Sequence, residues 1–277
     1  MSQDRNPLFK MAAASIVLLA PFVRAAEPVD VWSVVDASRV CPIATVWRLG
    51  TGPGRSPGEM IETVAPLDVD GRAVWRIMHT MLRSLEDVRN GMTPGFDVLD
   101  VERATLAPLQ GEHRTRGSAS TAVNITRFDY RTTPGTVLRL NGDGSTAERI
   151  ALQPDQRVLA EPGVAVLGQA IAWSDGLKLR GYMIDRWRGR ENQRLREIAI
   201  TVTGRGSVGI GGRRVETFVV TQRPVDGGFH WVRQITAERP HRDVHSQYYS
   251  AGLKEGARPF ISEVSALLQD ASCTKTE

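Results

Sequence analysis

The chain has 277 residues and a formal net charge of +4, and 41% of its residues are hydrophobic. This composition indicates a folded protein with a substantial core, and the absence of a dense basic block excludes a nucleic-acid-binding design. After the N-terminus no stretch approaches ~18 uninterrupted apolar residues, so the sequence is not that of a membrane-spanning protein.

Residues 1–25 have the pattern of a secretory signal peptide. Arg5 and Lys10 supply positive charge before a short apolar run, Met11–Val23. The small residue Ala25 follows at the expected cleavage site. We therefore expect the mature chain in the periplasm, with a retained N-terminal anchor as the alternative. In such a compartment we expect Cys41 and Cys273 to form a disulfide bond, although two free thiols remain the alternative.

The mature chain divides into a predicted N-terminal arm, residues 26–58, and a single β-rich domain, residues 59–277. Asp70-Gly71 is a hairpin-turn signal between two segments with strand character. β-branched and aromatic residues between Gly- and Pro-containing turns predict the first strands. In chain order these are Ile43–Leu49, Met60–Pro66, Arg72–Arg83, Phe96–Leu106, Ala122–Tyr130 and Thr136–Leu140.

Two helices are predicted in the second half of the chain. Pro162–Leu179 begins with proline and has apolar residues at helical spacing, and Pro259–Leu268 carries Ile261, Val264 and Leu267 at similar spacing. Strands are predicted between the helices at Tyr182–Arg188, Leu195–Thr203, Arg214–Gln222, Gly228–Glu238 and Asp243–Ser250. Many short strands with few helices predict a mainly β fold, built on an antiparallel sheet.

The glycines Gly204, Gly206 and Gly209 match the G-x-G-x-x-G spacing of a dinucleotide-binding turn. Such a turn must lead into a helix whose N-terminus holds the pyrophosphate. Here the residues that follow, Arg213–Val220, alternate as a strand does. We therefore interpret this segment as a glycine-rich hairpin, and we expect no cofactor.

A second motif, Gly54–Gly58, satisfies the G-x-S-x-G pattern of the hydrolase nucleophile elbow, with Ser56 as the nucleophile. The oxyanion hole of that elbow uses the backbone N–H of the next residue, which here is Pro57 and has none. The sequence therefore assigns no catalytic residue, and a hydrolase is only the third hypothesis for function.

His241, Asp243 and His245 form a third pattern, with the spacing of metal ligands on a helix. In a strand, residues four apart lie about 13 Å from each other, too far for one zinc ion with ligands at ~2 Å. We interpret them as solvent-facing polar residues of a strand, and we predict no metal site.

The remaining candidates are aromatic residues in or beside the predicted strands and helix. Such residues most often fill a core, but in a strongly bent sheet they can line an apolar cavity that binds a small molecule. The candidate cavity residues are Trp75, Trp173, Tyr182, Trp187, Phe218, Trp231 and Tyr248.

Residues 97–110, DVLDVERATLAPLQ, together with GYMIDRW and the 208–232 hairpin segment, resemble an uncharacterised family of exported proteobacterial proteins. That family carries a domain of unknown function and is allied in fold to the LolA/LolB-like lipoprotein carriers. The resemblance implies a half-barrel, a strongly curved antiparallel sheet with a central covering helix, and an apolar ligand inside. With the predicted C-terminal helix, this is the expected fold.

The resulting functional hypothesis is a non-catalytic binding protein of the cell envelope that holds a lipid or another apolar molecule. The alternative is a periplasmic interaction module with a filled core, whose partner is another envelope protein meeting an exposed strand edge.

Overall fold

The computed structural model describes residues 27–50, 58–82, 95–116, 123–131, 135–141, 143–152, 157–159, 163–184, 195–249 and 259–269. Within these ranges the protein is mainly β. Sixteen strands form one large sheet, and the sheet is open, because its ordered path ends at the strand Thr146–Ala151 on one side and at the strand Val29–Asp30 on the other. No described segment forms a helix with the length and apolar character needed to cross a membrane.

The first half of the chain supplies β1 and then a run of consecutive strands, β2 to β9, each paired antiparallel with the next. Asp70 and Gly71 turn β3 into β4 with positive φ angles of 53° and 75°, as the hairpin signal predicts. The strands are β1 (Val29–Asp30), β2 (Ile43–Leu49), β3 (Gly58–Val69), β4 (Arg72–Leu82), β5 (Gly95–Glu102), β6 (Pro108–Arg116), β7 (Val123–Asp129), β8 (Thr136–Leu140) and β9 (Thr146–Ala151).

The second half supplies another antiparallel run, β11 to β16, and β1 and β10 both pair in parallel with β11. Gly211 and Gly212 form the turn of the long β12–β13 hairpin, so the prediction of a glycine-rich hairpin there is confirmed. The strands are β10 (Val158–Leu159), β11 (Lys178–Ile184), β12 (Leu195–Ile210), β13 (Arg213–Pro224), β14 (His230–Thr236), β15 (Asp243–Tyr249) and β16 (Phe260–Gln269).

The two runs of strands are joined where β16 pairs antiparallel with β2. β2 comes from the stretch predicted as an N-terminal arm, and it is paired on both sides, with β16 and with β3. Beyond this junction Ile210 of the β12–β13 hairpin packs against Trp47 of β2 and Val264 of β16. The sheet is therefore curled, since strands that are far apart in its order share one core.

The prediction of a C-terminal helix at Pro259–Leu268 is wrong, because Phe260–Gln269 is strand β16. A bulge in the pairing between Val264 and Ala266 leaves Ser265 as an extra residue. Val264 and Leu267 consequently face the same core although they are three residues apart. The bulge thus reproduces the helical spacing on which the prediction depended.

One α-helix occurs within the described residues, α1 (Val164–Ala170), and it is much shorter than the predicted Pro162–Leu179. It ends at Ile171, whose backbone is extended, and Lys178 already begins β11. Leu167 packs with the core of β11–β14, whereas Val166 and Ala170 pack with the core of β3–β5. The helix therefore lies between the inner faces of the two runs of strands.

Candidate functional site

Most of the predicted aromatic cavity residues are parts of packed cores. Phe218 and Trp231 are buried in the core of β11–β14, and Trp173 and Tyr248 pack against its border. Trp75 is buried separately in the core of β3–β5. The structure therefore brings four of the candidates together around one core and places Trp75 in another.

Two of the aromatic candidates do not join these cores. Leu179, Gly181 and Met183 of β11 are buried, whereas Tyr182, between them, is only partly buried and points to the opposite face of the strand. Trp187 lies outside the described residues. The same holds for Cys273, Ser56 and residues 1–25, so the predicted disulfide of Cys41 with Cys273 stays a prediction.

A small apolar cleft, with a cavity volume of about 10 Å³, lies beside α1. Val166 and Leu167 of the helix line it together with Leu99 and Val101 on the inner face of β5. Its full lining is Trp32, Leu99, Val101, Leu106, Pro108, Val158, Leu159, Gly163, Val166 and Leu167. Every lining side chain is apolar or absent except for the indole N–H of Trp32, which donates to the Arg157 carbonyl. The cleft can therefore accept an apolar group.

A row of polar residues crosses the inner face of the sheet from β2 to β9, and we call it the inner polar row. Strand register places each member opposite the next, one residue per strand. Its members are Thr45, Glu62, His79, Asp97, His113, Thr126, Arg139 and Glu148. The adjacent inner row, two residues along each strand, is almost entirely apolar: Ile43, Val64, Ile77, Leu99, Gly111, Phe128, Val137 and Ile150.

His79 is the centre of the inner polar row. Its Nε2 lies 2.9 Å from the Glu62 carboxylate and its Nδ1 3.7 Å from the Asp97 carboxylate, and all three residues are buried. Burial opposes protonation of the imidazole, but the Asp97 and Glu62 carboxylates outweigh it and raise the pKa of His79 to about 10. Asp97 also contacts His113 Nδ1. The row therefore carries a buried imidazolium between two carboxylates.

Strands β14 and β15 carry a second buried ion pair. Arg233 of β14 donates to Asp243 of β15 over 2.5 Å, and the Arg233 guanidinium also lies 4.6 Å from the centre of the Trp231 ring. Burial and the Glu62 carboxylate together raise the pKa of Asp243 to about 6, against the opposing effect of Arg233.

Three buried N–H groups without a hydrogen-bond partner among the described residues form what we call the donor cluster: Arg39 Nη1, Gln169 Nε2 and Arg242 Nη2. Gln169 and Arg242 are 2% and 5% exposed. The Gln169 carbonyl oxygen accepts from the Cys41 backbone N–H over 3.0 Å, which leaves the amide nitrogen for another partner. The side chain of Arg242 makes no hydrogen bond to a described residue.

The interpretation of His241–His245 as solvent-facing polar residues is wrong for most of the segment. His241, Arg242 and Asp243 are all buried. His241 Nδ1 pairs with the Thr236 carbonyl at 2.9 Å and Asp243 pairs with Arg233, so each is held by a different partner. Across the described ranges no group of three His, Cys, Asp or Glu side chains is arranged to hold a metal ion.

Sequence reasoning missed the inner polar row and the donor cluster. His79 and His113 stand alone in sequence, and the spacing of the carboxylates singles none of them out. A usable signal did exist in one strand. Trp75, Ile77 and His79 occupy alternate positions, so His79 falls on the same inward face as the two apolar residues before it. Register then brings such residues together, and register is not visible in a local pattern.

A solved structure is similar to this chain. It is described as a β-barrel-like protein of domain of unknown function DUF1849 from Brucella abortus, and the two chains are 10% identical. The match covers 83% of this chain and 98% of that chain, with a TM-score of 0.42. No protein-family model matches the chain, and no curated protein matches it significantly.

Proposed function

We propose that this chain is an exported, non-catalytic binding protein of the cell envelope, which holds the apolar part of a lipid or another apolar molecule. The observation that carries the proposal is the apolar cleft between α1 and the inner face of β5. Ligand sites are concave and mostly apolar, and their volumes are roughly 300–1,000 Å³. The cavity of about 10 Å³ between α1 and β5 is far smaller, so a slender part of a ligand, such as a segment of an acyl chain, enters only when α1 and β5 move apart.

The buried histidine supports binding rather than hydrolysis. A general base must be unprotonated near the working pH, whereas His79, with a pKa of about 10, is protonated at neutral pH. Its two ring nitrogens already face Glu62 and Asp97. His79 therefore has neither the protonation state nor a free nitrogen with which to activate a nucleophile or water.

The test is native mass spectrometry of the protein purified gently from a cell envelope. We expect a bound apolar molecule, and we expect Gly163→Leu to reduce its occupancy. Gly163 lines the cleft, and a Cβ there would lie 3.2 Å from Leu99 Cδ2, so a leucine side chain would occupy the cleft. Gly209→Leu is the matched control, because nothing lies within 4 Å of a Cβ at that position. The proposal would be contradicted if no apolar molecule were bound to the wild type or to either variant.

Export and the disulfide belong to the same proposal. The support for export is the signal-like sequence of residues 1–25. The sequence resemblance described above is the support for a fold allied to the LolA/LolB-like carriers. Cleavage near Ala25 in a periplasmic fraction, detected by intact mass, would support export. In the same sample a mass two hydrogens lower than that of the reduced chain would support the pairing of Cys41 with Cys273.

The second candidate, an interaction module, is favoured by one observation. β9 is an outer strand of the sheet, and most of its residues are exposed, so its free edge could pair with a strand of an envelope protein. Replacement of Ala147, which is exposed, with proline would remove a backbone donor from this strand. Loss of a co-purifying protein, with the bound apolar molecule retained, would favour this candidate.

A further inference from the structure

Arg242 presents an unusual energetic situation in the interior. Its guanidinium is always charged, the residue is 5% exposed, and Nη2 has no hydrogen-bond partner among the described residues. Burial lowers the pKa of Arg242, and the negative charge of Glu62 acts in the opposite direction. This effect of Glu62 is electrostatic only, since no hydrogen bond joins the two side chains. A buried charge without a hydrogen-bonded partner is costly, and such a group calls for an additional partner.

The other two members of the donor cluster converge on the same region. Arg39 ends a 3₁₀ turn, Ala37–Arg39, that is tied to the end of α1, because the Asp36 backbone N–H donates to the Ala170 carbonyl over 3.0 Å. A Cβ on Gly168 of α1 would lie 3.9 Å from the His241 carbonyl oxygen, so the helix end also reaches the segment that carries Arg242. Arg39 and Gln169 thus lie at the junction of these three segments.

Each of the three N–H groups is a donor, and two belong to cations, although the Arg39 guanidinium also donates through Nε to Asp36 over 2.9 Å. None of the buried carboxylates nearby hydrogen-bonds to the cluster: Glu62 and Asp97 flank His79, and Asp243 pairs through Oδ2 with Arg233, while its Oδ1 has no partner among the described residues. The acceptor that the donor cluster lacks is therefore not supplied by these side chains. Carboxylate and phosphate oxygens are the acceptors that guanidinium groups bind most strongly.

The donor cluster is also next to the apolar cleft. Val166 lines the cleft, and Gln169 lies three residues later on the same helix, so the two side chains are neighbours on its surface. We propose that the donor cluster of Arg39, Gln169 and Arg242 binds the anionic head of an amphiphile, a carboxylate or a phosphate, while its apolar chain lies in the cleft. This inference rests on the proposed function and narrows its ligand class from apolar molecules to anionic amphiphiles.

Titration calorimetry with delipidated mature protein tests the inference, using oleate, oleyl alcohol and inorganic phosphate as probes. Oleate and oleyl alcohol share an apolar chain, and only oleate has the anionic head. We expect oleate to bind at least ten times more tightly than oleyl alcohol. We expect Arg242→Gln to weaken oleate at least tenfold and to leave oleyl alcohol unchanged.

Gln169→Glu is the second variant, because removal of Arg242 could prevent folding. The carboxylate keeps the oxygen that accepts from Cys41 but replaces the amide donor with a negative charge. We expect it to fold and to lose oleate affinity at least tenfold. Gln247→Glu is the charge-matched control, since Gln247 lies on the opposite face of β15 from Tyr248 and accepts from the Tyr249 hydroxyl over 2.8 Å. Its oleate affinity should not change.

The outcomes separate the inference from the proposed function. Equal affinities for oleate and oleyl alcohol, with both variants silent, would overturn the inference and leave the proposed function intact. Binding of neither amphiphile would overturn both. Phosphate binding that depends on Arg242 and Gln169, without oleate binding, would indicate a small-anion site separate from the cleft and would likewise overturn the inference.

Discussion

The stability of this protein should fall at alkaline pH because of a single buried residue, His79. The pKa of His79 is raised from its ordinary value of 6.5 to about 10 in the folded protein, despite burial, by the Asp97 and Glu62 carboxylates. The folded state therefore holds a proton that the unfolded chain releases above pH 6.5. The resulting stabilisation is complete below that pH, and it is lost as the pH rises through about 10. At 1.36 kcal/mol per pKa unit, the loss between pH 7 and pH 10 is on the order of 3–4 kcal/mol.

Urea unfolding at a series of pH values from 6 to 10 measures this loss, with His79→Gln as the comparison. Other groups that titrate in this range do so in both proteins, so the difference between the two curves isolates His79. The variant should be about 3–5 kcal/mol less stable at pH 7, because Glu62 and Asp97 lose their buried countercharge. The curves should converge toward pH 10. Parallel curves across this range would refute the assignment of a buried imidazolium.

Three further predictions concern the packing of the interior. Gly111→Val should destabilise the fold by about 1–3 kcal/mol, since a Cβ at that position would lie 2.8 Å from the Val98 carbonyl oxygen; an unchanged urea midpoint would contradict this packing. Val264→Asp should prevent stable folding, because β16 directs Val264 into a core, whereas Leu268→Asp should be tolerated, because Leu268 is 58% exposed. Equal melting temperatures of the two variants would contradict the assignment of this segment as a strand. Trp231→Ala should cost about 3–5 kcal/mol in the free energy of unfolding without changing ligand occupancy, since Trp231 fills a core and does not line the cleft; lower occupancy in native mass spectra would contradict this.

The hairpin content of the fold could be predicted from local patterns because turn chemistry and alternation act over short distances. The β3–β4 and β12–β13 hairpins have glycines with positive φ at their turns, and their strands alternate clearly. β6 was missed for the opposite reason. Two of its inward-facing residues are Gly111 and His113, so the apolar positions that would reveal a strand are absent. Its stability comes from neighbours on both sides rather than from its own pattern.

The candidate site could not be predicted because its residues are distant in sequence. Glu62, His79 and Asp97 occupy three strands, and only the register between those strands aligns them. Arg242 lies in the segment His241–His245, whose polar residues, taken alone, are typical of a solvent-facing strand. Arg242 is nevertheless buried, and the end of α1, distant in sequence, approaches its neighbour His241. Such long-range placement leaves no local signal.

The division of the interior into apolar and polar regions is what links the observations into one hypothesis. Buried ionic groups are weak contributors to stability, and apolar residues in their place are often at least as stable. The row from Ile43 through Ile77 to Leu99 shows that apolar residues do occupy equivalent inner positions two residues away on the same strands. A fold that needed only a packed interior could have continued that pattern. An interior with an apolar cleft on one side and unpartnered N–H groups on the other matches instead a molecule with the same two parts, which is the reason to test amphiphiles first.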